Sequence, residues 1–291
     1  MSAGPGEPRA AGHAGGSAGG PGPHAPPDRP AYLLGGTAPG AAERMAALAA
    51  VFDGWTRDHL ARVGLQPGWR CWEVGAGGPS VARWLASGVA PDGHVVATDV
   101  DVTWLAGITE PNVTVLRHDV TTERPPALGL DLVHARLLLV HLPDRSAALR
   151  AMAGALRPGG WLVVEDADPG LQPRSSLDPA GPADDLANRL REGFRALLAE
   201  RGADLAFGRT LPRRLRELGL RDVQADAYLP LSVTACATIE SATVAMLRDE
   251  LVRRGVATEA EIDDHLRAVA AGQLDLAQPP LVTAWGRRPG G

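Results

Sequence analysis

The segment Cys71-Trp72-Glu73-Val74-Gly75-Ala76-Gly77-Gly78 constrains this chain more than any other. An apolar run ends on an acid, glycines follow, and Val81, Trp84 and Leu85 then recur at helical spacing. The pattern predicts a strand, a tight turn and a helix, the unit from which parallel α/β sheets are built. Gly75 and Gly77 lack a Cβ, so a ligand can approach the backbone closely around Ala76.

The rest of the chain repeats this alternation. Strands are expected at Arg70–Val74, His94–Thr98, Asn112–Arg117, Leu130–Ala135 and Trp161–Glu165. A helix is expected over Pro143–Leu156, stopped by Arg157-Pro158-Gly159-Gly160. Met45, Leu48, Phe52, Trp55, His59 and Val63 predict helical structure ahead of the first strand, with Asp53-Gly54 as a break. Further helices are expected near Asp184–Arg201 and Thr210–Leu218. A sixth strand follows at Leu220–Leu229, then two amphipathic helices and a last strand, Leu281–Gly286. The fold class is therefore α/β: a Rossmann-like, seven-stranded, mostly parallel sheet with helices on both faces, N-terminal helices and a lid insertion after the fifth strand. The lid is placed over residues 166–208, too long for an ordinary connection.

Residues 1–30 read differently, since twenty-one of them are Gly, Ala or Pro. Such a stretch buries too little apolar surface to offset its chain entropy, so a disordered tail is expected there, with the folded domain over 31–291.

Three acids bear on the ligand, and Glu73 and Asp119 discriminate, since Asp99 would serve a nicotinamide dinucleotide equally well. Glu73 would repel a pyrophosphate but suits an ammonium group. The dinucleotide fingerprint Gly-x-Gly-x-x-Gly also fails, because Ser80 stands at its third glycine. Asp99, with Val100 beside it, ends the second strand and can accept from both hydroxyls of a ribose. Asp119 ends the third strand, where its carboxylate can accept from an adenine amino group while the Val120 N–H donates to the ring.

Together these segments resemble the class I S-adenosylmethionine (SAM)-dependent methyltransferases. Glu73-Val-Gly-Ala-Gly-Gly is similar to the family's acidic glycine motif, with Pro79 where many members have a third glycine. Val95–Asp99 is similar to its ribose-binding strand and Arg117-His118-Asp119-Val120 to its adenine-binding step. Asp131–Arg136 and Leu156–Trp161 are similar to the fourth-strand motif and the turn into the fifth strand. The resemblance implies SAM as cofactor, held by Glu73, Gly75, Ala76, Gly77, Asp99, Val100, Asp119, Val120, Ala135 and Arg136. It also implies a last strand that runs antiparallel between the fifth and sixth.

For the transfer itself, His134, His141, Glu165 and Asp166 are the titratable candidates at the open strand ends. His141, in Val140-His141-Leu142-Pro143-Asp144, is the expected base, by similarity to small-molecule O-methyltransferases that place a His-His pair before Pro-Asp. Here Val140 replaces the first histidine. Asp166 is the expected partner that fixes its tautomer. No metal is expected, because His134 stands where magnesium-dependent relatives carry an aspartate. Tyr32, Phe52, Trp55, Phe194 and Phe207 are candidates to line an acceptor pocket.

A net charge of −5 with no basic run argues against a nucleic-acid partner. No long apolar run suggests a membrane span. The 29 basic residues are all arginine, which points to a high-GC bacterial genome. Cys71 and Cys236 do not suggest a disulfide framework, and a cytoplasmic setting is expected. A small-molecule acceptor, O-, N- or C-methylated in secondary metabolism, and a homodimer are the expected partners. The alternative is a SAM-binding protein of this fold that does not transfer methyl; a nicotinamide-dependent oxidoreductase ranks third.

Overall fold

The computed structural model describes residues 1, 2, 4 and 40–290. The rest of the expected tail, and Tyr32 with it, lies outside the described residues. From residue 40 onward the chain builds one seven-stranded sheet in the order β3-β2-β1-β4-β5-β7-β6. The strands are β1 Arg70–Val74, β2 His94–Asp99, β3 Val113–Arg117, β4 Leu130–Arg136, β5 Leu156–Ala167, β6 Arg221–Tyr228 and β7 Leu281–Arg287. β1 to β5 pair in parallel, and β7 runs antiparallel between β5 and β6, as the resemblance implied.

Alternation along the strands divides the core between two faces. Trp72, Val74, Val133, Ala135, Leu162, Val164 and Ala284 point to one face. There they meet α3 (Arg145–Ala155) and α5 (Leu211–Glu217) through Leu149, Met152, Leu211 and Leu215. Cys71, Val95, Leu132, Val163 and Trp285 point to the other face. They meet α1 (Ala41–Arg62) through Leu60 and α2 (Ser80–Val89) through Val81, Leu85 and Val89. Full burial of each such aliphatic side chain stabilises by about 1.5–3 kcal/mol. Beyond the sheet, α4 (Pro182–Glu200), α6 (Thr234–Arg253) and α7 (Glu259–Ala270) share an apolar cluster that includes Leu190, Leu247 and Ile262.

Three boundaries differ from the sequence reading. α1 runs unbroken through Asp53-Gly54. The cost of a mid-helix glycine, about 1 kcal/mol, is offset because Asp53 pairs with Arg57 and Arg136. α3 starts at Arg145 rather than Pro143, because Asp144 is the better cap and accepts from the Ala147 N–H at 2.8 Å. Arg157-Pro158-Gly159-Gly160 does not separate helix from strand but already belongs to β5. There the Gly159 N–H bonds to the Arg288 carbonyl and the Arg288 N–H to the Gly160 carbonyl.

The expected lid segment is anchored at its base. Asp168, fully buried, accepts from the Arg209 backbone and guanidinium and from the Leu171 N–H. Its helix α4 is packed into the α6–α7 layer.

Candidate functional site

The carboxyl ends of β1, β2 and β3 form one crevice edge, the usual ligand side of a parallel sheet. Gly75 and Gly77 take φ +62° and +61°, a region that side chains rarely adopt. A Cβ on Gly75 would lie 2.7 Å from the Leu138 side chain, and one on Gly77 would lie 2.9 Å from the Met45 methyl. Leu138, after β4, and Met45, on α1, thus roof the turn with apolar groups. The Ala76 N–H bonds to the Thr98 carbonyl at 2.9 Å, which ties the turn to β2.

Asp99 completes that tie. Its Oδ2 accepts from the Gly77 N–H at 2.9 Å, and its Oδ1 accepts from the Asp101 N–H at 3.0 Å. Val100 beside it is 53% exposed, an open apolar surface at the crevice. Asp101 turns away and accepts from the Thr103 N–H at 3.0 Å and from its hydroxyl. One strand over, Asp119 accepts from the Thr121 N–H at 2.9 Å and from its hydroxyl. Val120 is buried in the core, and His118 packs edge-on against Trp72.

Glu73 is almost fully buried and faces the sheet side covered by α1. It stands in register with His134 on β4, whose Nδ1 lies 2.6 Å from Glu73 Oε2. The His134 Nε2 lies 3.3 Å from Glu165 Oε2. Glu165 also accepts from Thr56 on α1 at 2.5 Å and from Thr283 on β7 at 2.7 Å. Burial pulls the His134 imidazole down, but the Glu73 charge and the hydrogen bonds that the ring donates to both carboxylates outweigh it and raise its pKa to about 9. Burial pushes Glu165 up, yet the His134 bond and charge, with Arg136, leave it below its ordinary value. The pair of acids therefore embraces an imidazolium.

Ala135 is buried against the opposite face. Arg136 bonds Thr56 Oγ1 at 2.8 Å and Asp53 Oδ1 at 2.9 Å, so its guanidinium fastens α1 to the sheet. His141 ends a short turn, Leu139–His141, and is half-buried. Burial, with Arg44 and Arg145 nearby, lowers its pKa to about 4. Asp166 accepts from the Val140 and Ala167 N–H groups at 2.9 and 3.0 Å, and burial raises it to about 7 against those bonds. Its hydrogen bonds among the described residues thus go to backbone, including the residue just before His141.

The expected aromatic lining is not gathered in one place. Phe52 and Trp55 pack around Tyr228, Phe194 belongs to the α4–α6–α7 cluster, and Phe207 lies in the α3–α5 core. Aromatic identity marks burial in general, and these residues are core in three different clusters. Thr56 and Thr283 were not singled out in the sequence, and Asp53 only as part of a helix break. The one hint lay in the 52-55-59 spacing of α1, which marks an inward face but not its polar partners. Among the described residues, no group of three or more His, Cys, Asp or Glu side chains is arranged to hold a metal ion, and no helix is long and apolar enough to cross a membrane.

Known proteins resemble this chain in sequence and in fold. The family model of the Methyltransferase domain matches residues 56–225. Methyltransferase str2 of Strobilurus tenacellus is 32% identical over 159 residues, covering 52% of this chain and 55% of that protein. Trans-aconitate 2-methyltransferase of Variovorax paradoxus is 29% identical over 170 residues, covering 53% of this chain and 65% of that protein. A wheat phosphoethanolamine N-methyltransferase is 25% identical, with 59% of this chain matched to 32% of that protein. The chain thus spans less than two thirds of the length of these relatives.

Among solved structures, Haemonchus contortus phosphoethanolamine N-methyltransferase 2, in complex with phosphomonomethylethanolamine and S-adenosylhomocysteine, superposes with a TM-score of 0.53 at 16% identity. That match covers 84% of this chain and 57% of that one. The YcgJ protein of a Bacillus gives 0.53 at 13% identity, over 82% of this chain and 100% of that one. At these identities the likeness speaks to the fold. With a family model matched over more than half of its length, the chain belongs to the methyltransferase domain family, the class I SAM-dependent methyltransferases.

Proposed function

We propose that this protein binds SAM and transfers its methyl group to a small-molecule acceptor. The observation that carries the reading is the Gly77 N–H bonded to Asp99, because it sets a ribose-type acid and a glycine turn side by side at adjoining strand ends. The donor and acceptor set fits such a cofactor. Asp99 can take the ribose hydroxyls, Asp119 the adenine amino group and the Val120 N–H the ring. The backbone of Gly75, Ala76 and Gly77 lines the same edge under Met45 and Leu138. Glu73 Oε2 is engaged by His134, so Oε1 is the oxygen assigned to the ammonium group.

When bound, the cofactor supplies a methyl group on a sulfonium cation. The chain's part is to orient and to exclude water, since charge disperses in such a transfer and a dry pocket favours it. Met45 and Leu138 supply that apolar roof. His141, held neutral by its surroundings, is assigned to accept the proton of a hydroxyl or amine acceptor, with Asp166 fixing the backbone beside it. Relatives that bear small-molecule names, such as trans-aconitate 2-methyltransferase, support an acceptor of that size. Secondary metabolism and a cytoplasmic setting remain part of the proposal. Incubation with methyl-labelled SAM and a panel of small hydroxyl-, amino- and carboxyl-bearing acceptors tests it. Label in a small product is expected; SAM binding without any product would favour a non-transferring SAM protein.

A further inference from the structure

Across the face covered by α1 runs a buried polar row, one residue from each of five neighbouring strands. Glu73 on β1 meets His134 on β4, His134 meets Glu165 on β5, Glu165 pairs with Thr283 on β7, and Thr283 stands in register with Asp226 on β6. All but Asp226 are almost completely buried. α1 docks along this row: Asp53 on Arg136, Thr56 on Arg136 and Glu165, Trp55 Nε1 on Thr283, and His59 with Arg62 on Asp226.

Apolar contacts alone leave a helix free to slide or rotate at small cost, because hydrophobic attraction has no direction. Hydrogen bonds between buried charged groups do not, since each unmade bond leaves a desolvated charge. The row therefore fixes α1 in one register. That register sets the Met45 methyl over Gly77. The same imidazole that begins this seating also holds Oε2 of Glu73.

We propose that His134 is a positioning residue for cofactor binding: it aims the Glu73 carboxylate and, through Glu165 and Thr56, seats α1 as the cover of the glycine turn. The inference rests on the cofactor reading above, and it assigns function to a histidine and a glutamate that would otherwise be buried electrostatics. The groups facing His134 are Glu73 from β1 and Glu165 from β5. Around Glu165 stand Arg136 on β4 and Thr56 on α1, and Asp53 on α1 holds Arg136. Removal of His134 takes away the group that Glu73 and Glu165 share, and leaves Glu165 with Thr56 and Thr283.

The test uses the full chain and S-adenosylhomocysteine as probe, measured by calorimetry well below each variant's thermal midpoint. Four variants are compared with the unaltered protein: His134→Asn, Glu73→Gln, their combination, and Thr56→Val. Folded His134→Asn should bind about tenfold or more weakly, and the loss in the double variant should be smaller than the sum of the two single losses, since contacting residues of one network couple. Thr56→Val, which removes the α1 link to Glu165 while Arg136 keeps Asp53 and Glu165 keeps His134 and Thr283, should also weaken binding. A purely structural His134 would lower the thermal midpoint while the folded variant kept its affinity. Affinity within twofold for folded His134→Asn, or additive losses in the double variant, overturns the proposal. Should His134→Asn fail to fold, unchanged affinity in Thr56→Val overturns it and weakened affinity upholds it. An unaltered protein that ignores the probe overturns the cofactor reading itself, a distinct result.

Discussion

The backbone N–H of Gly77 donates to Oδ2 of Asp99 at 2.9 Å, across two neighbouring strands. A turn already bonded to β2 through Ala76 and Thr98 is thereby tied also to the acid that ends that strand. The two features that sequence reading treats as separate motifs are one mechanical unit.

Asp99→Ala should therefore weaken binding of SAM or S-adenosylhomocysteine by about 1–3 kcal/mol, through lost charge-assisted bonds and a loosened turn. Asp99→Asn keeps an acceptor for Gly77 and should lose less. Titration calorimetry decides; unchanged affinity in the alanine variant would remove Asp99 from the site.

Gly75→Ala tests the turn from the other side. Positive φ costs a side-chain-bearing residue about 1–2 kcal/mol, and the new Cβ would lie 2.7 Å from Leu138. Leu138→Ala opens space but leaves the dihedral strain, so the double variant should recover only part of the loss. Full recovery in urea unfolding would show that crowding alone, and not the backbone, requires glycine here.

The frame was legible because it depends on local pattern. Strand–acid–glycine–helix, the acids ending β2 and β3, and the apolar runs of β4 and β5 are each written within a dozen residues. What connects α1 to the sheet was not legible. Thr56 finds Glu165, Trp55 finds Thr283 and His59 finds Asp226, pairings that no periodicity encodes because their partners lie a hundred or more positions away. Glu73 shows the difference within one residue. Its place at the strand end follows from sequence, whereas its engagement by His134 follows only from the β1–β4 register. The expected break at Asp53-Gly54 fails for the same reason, since Arg136 supplies Asp53 with a distant partner.

His141→Ala should reduce kcat by about 10²-fold or more if the imidazole accepts the acceptor's proton, with SAM affinity nearly unchanged. A pKa near 4 keeps it neutral throughout the physiological range. Its own titration should then shape the kcat–pH profile only at the acid end. Full activity of the alanine variant near pH 7 eliminates the base assignment.

The His134 imidazolium has a stability signature with a definite sign. Its pKa is raised in the folded protein from the ordinary 6.5 to about 9, against the pull of burial and because of Glu73 and Glu165. A group of this kind contributes stability that is complete below pH 6.5, where folded and unfolded chains both hold the proton. Between pH 6.5 and 9 the unfolded chain releases its proton first, so the contribution fades as pH rises, by on the order of 3 kcal/mol in total. His134→Asn has no such proton to lose. Urea unfolding in that window should give a declining stability for the unaltered protein and a flatter line for the variant. The two curves should converge toward pH 9. Parallel curves across the window would mean that the charge between Glu73 and Glu165 is not carried by His134.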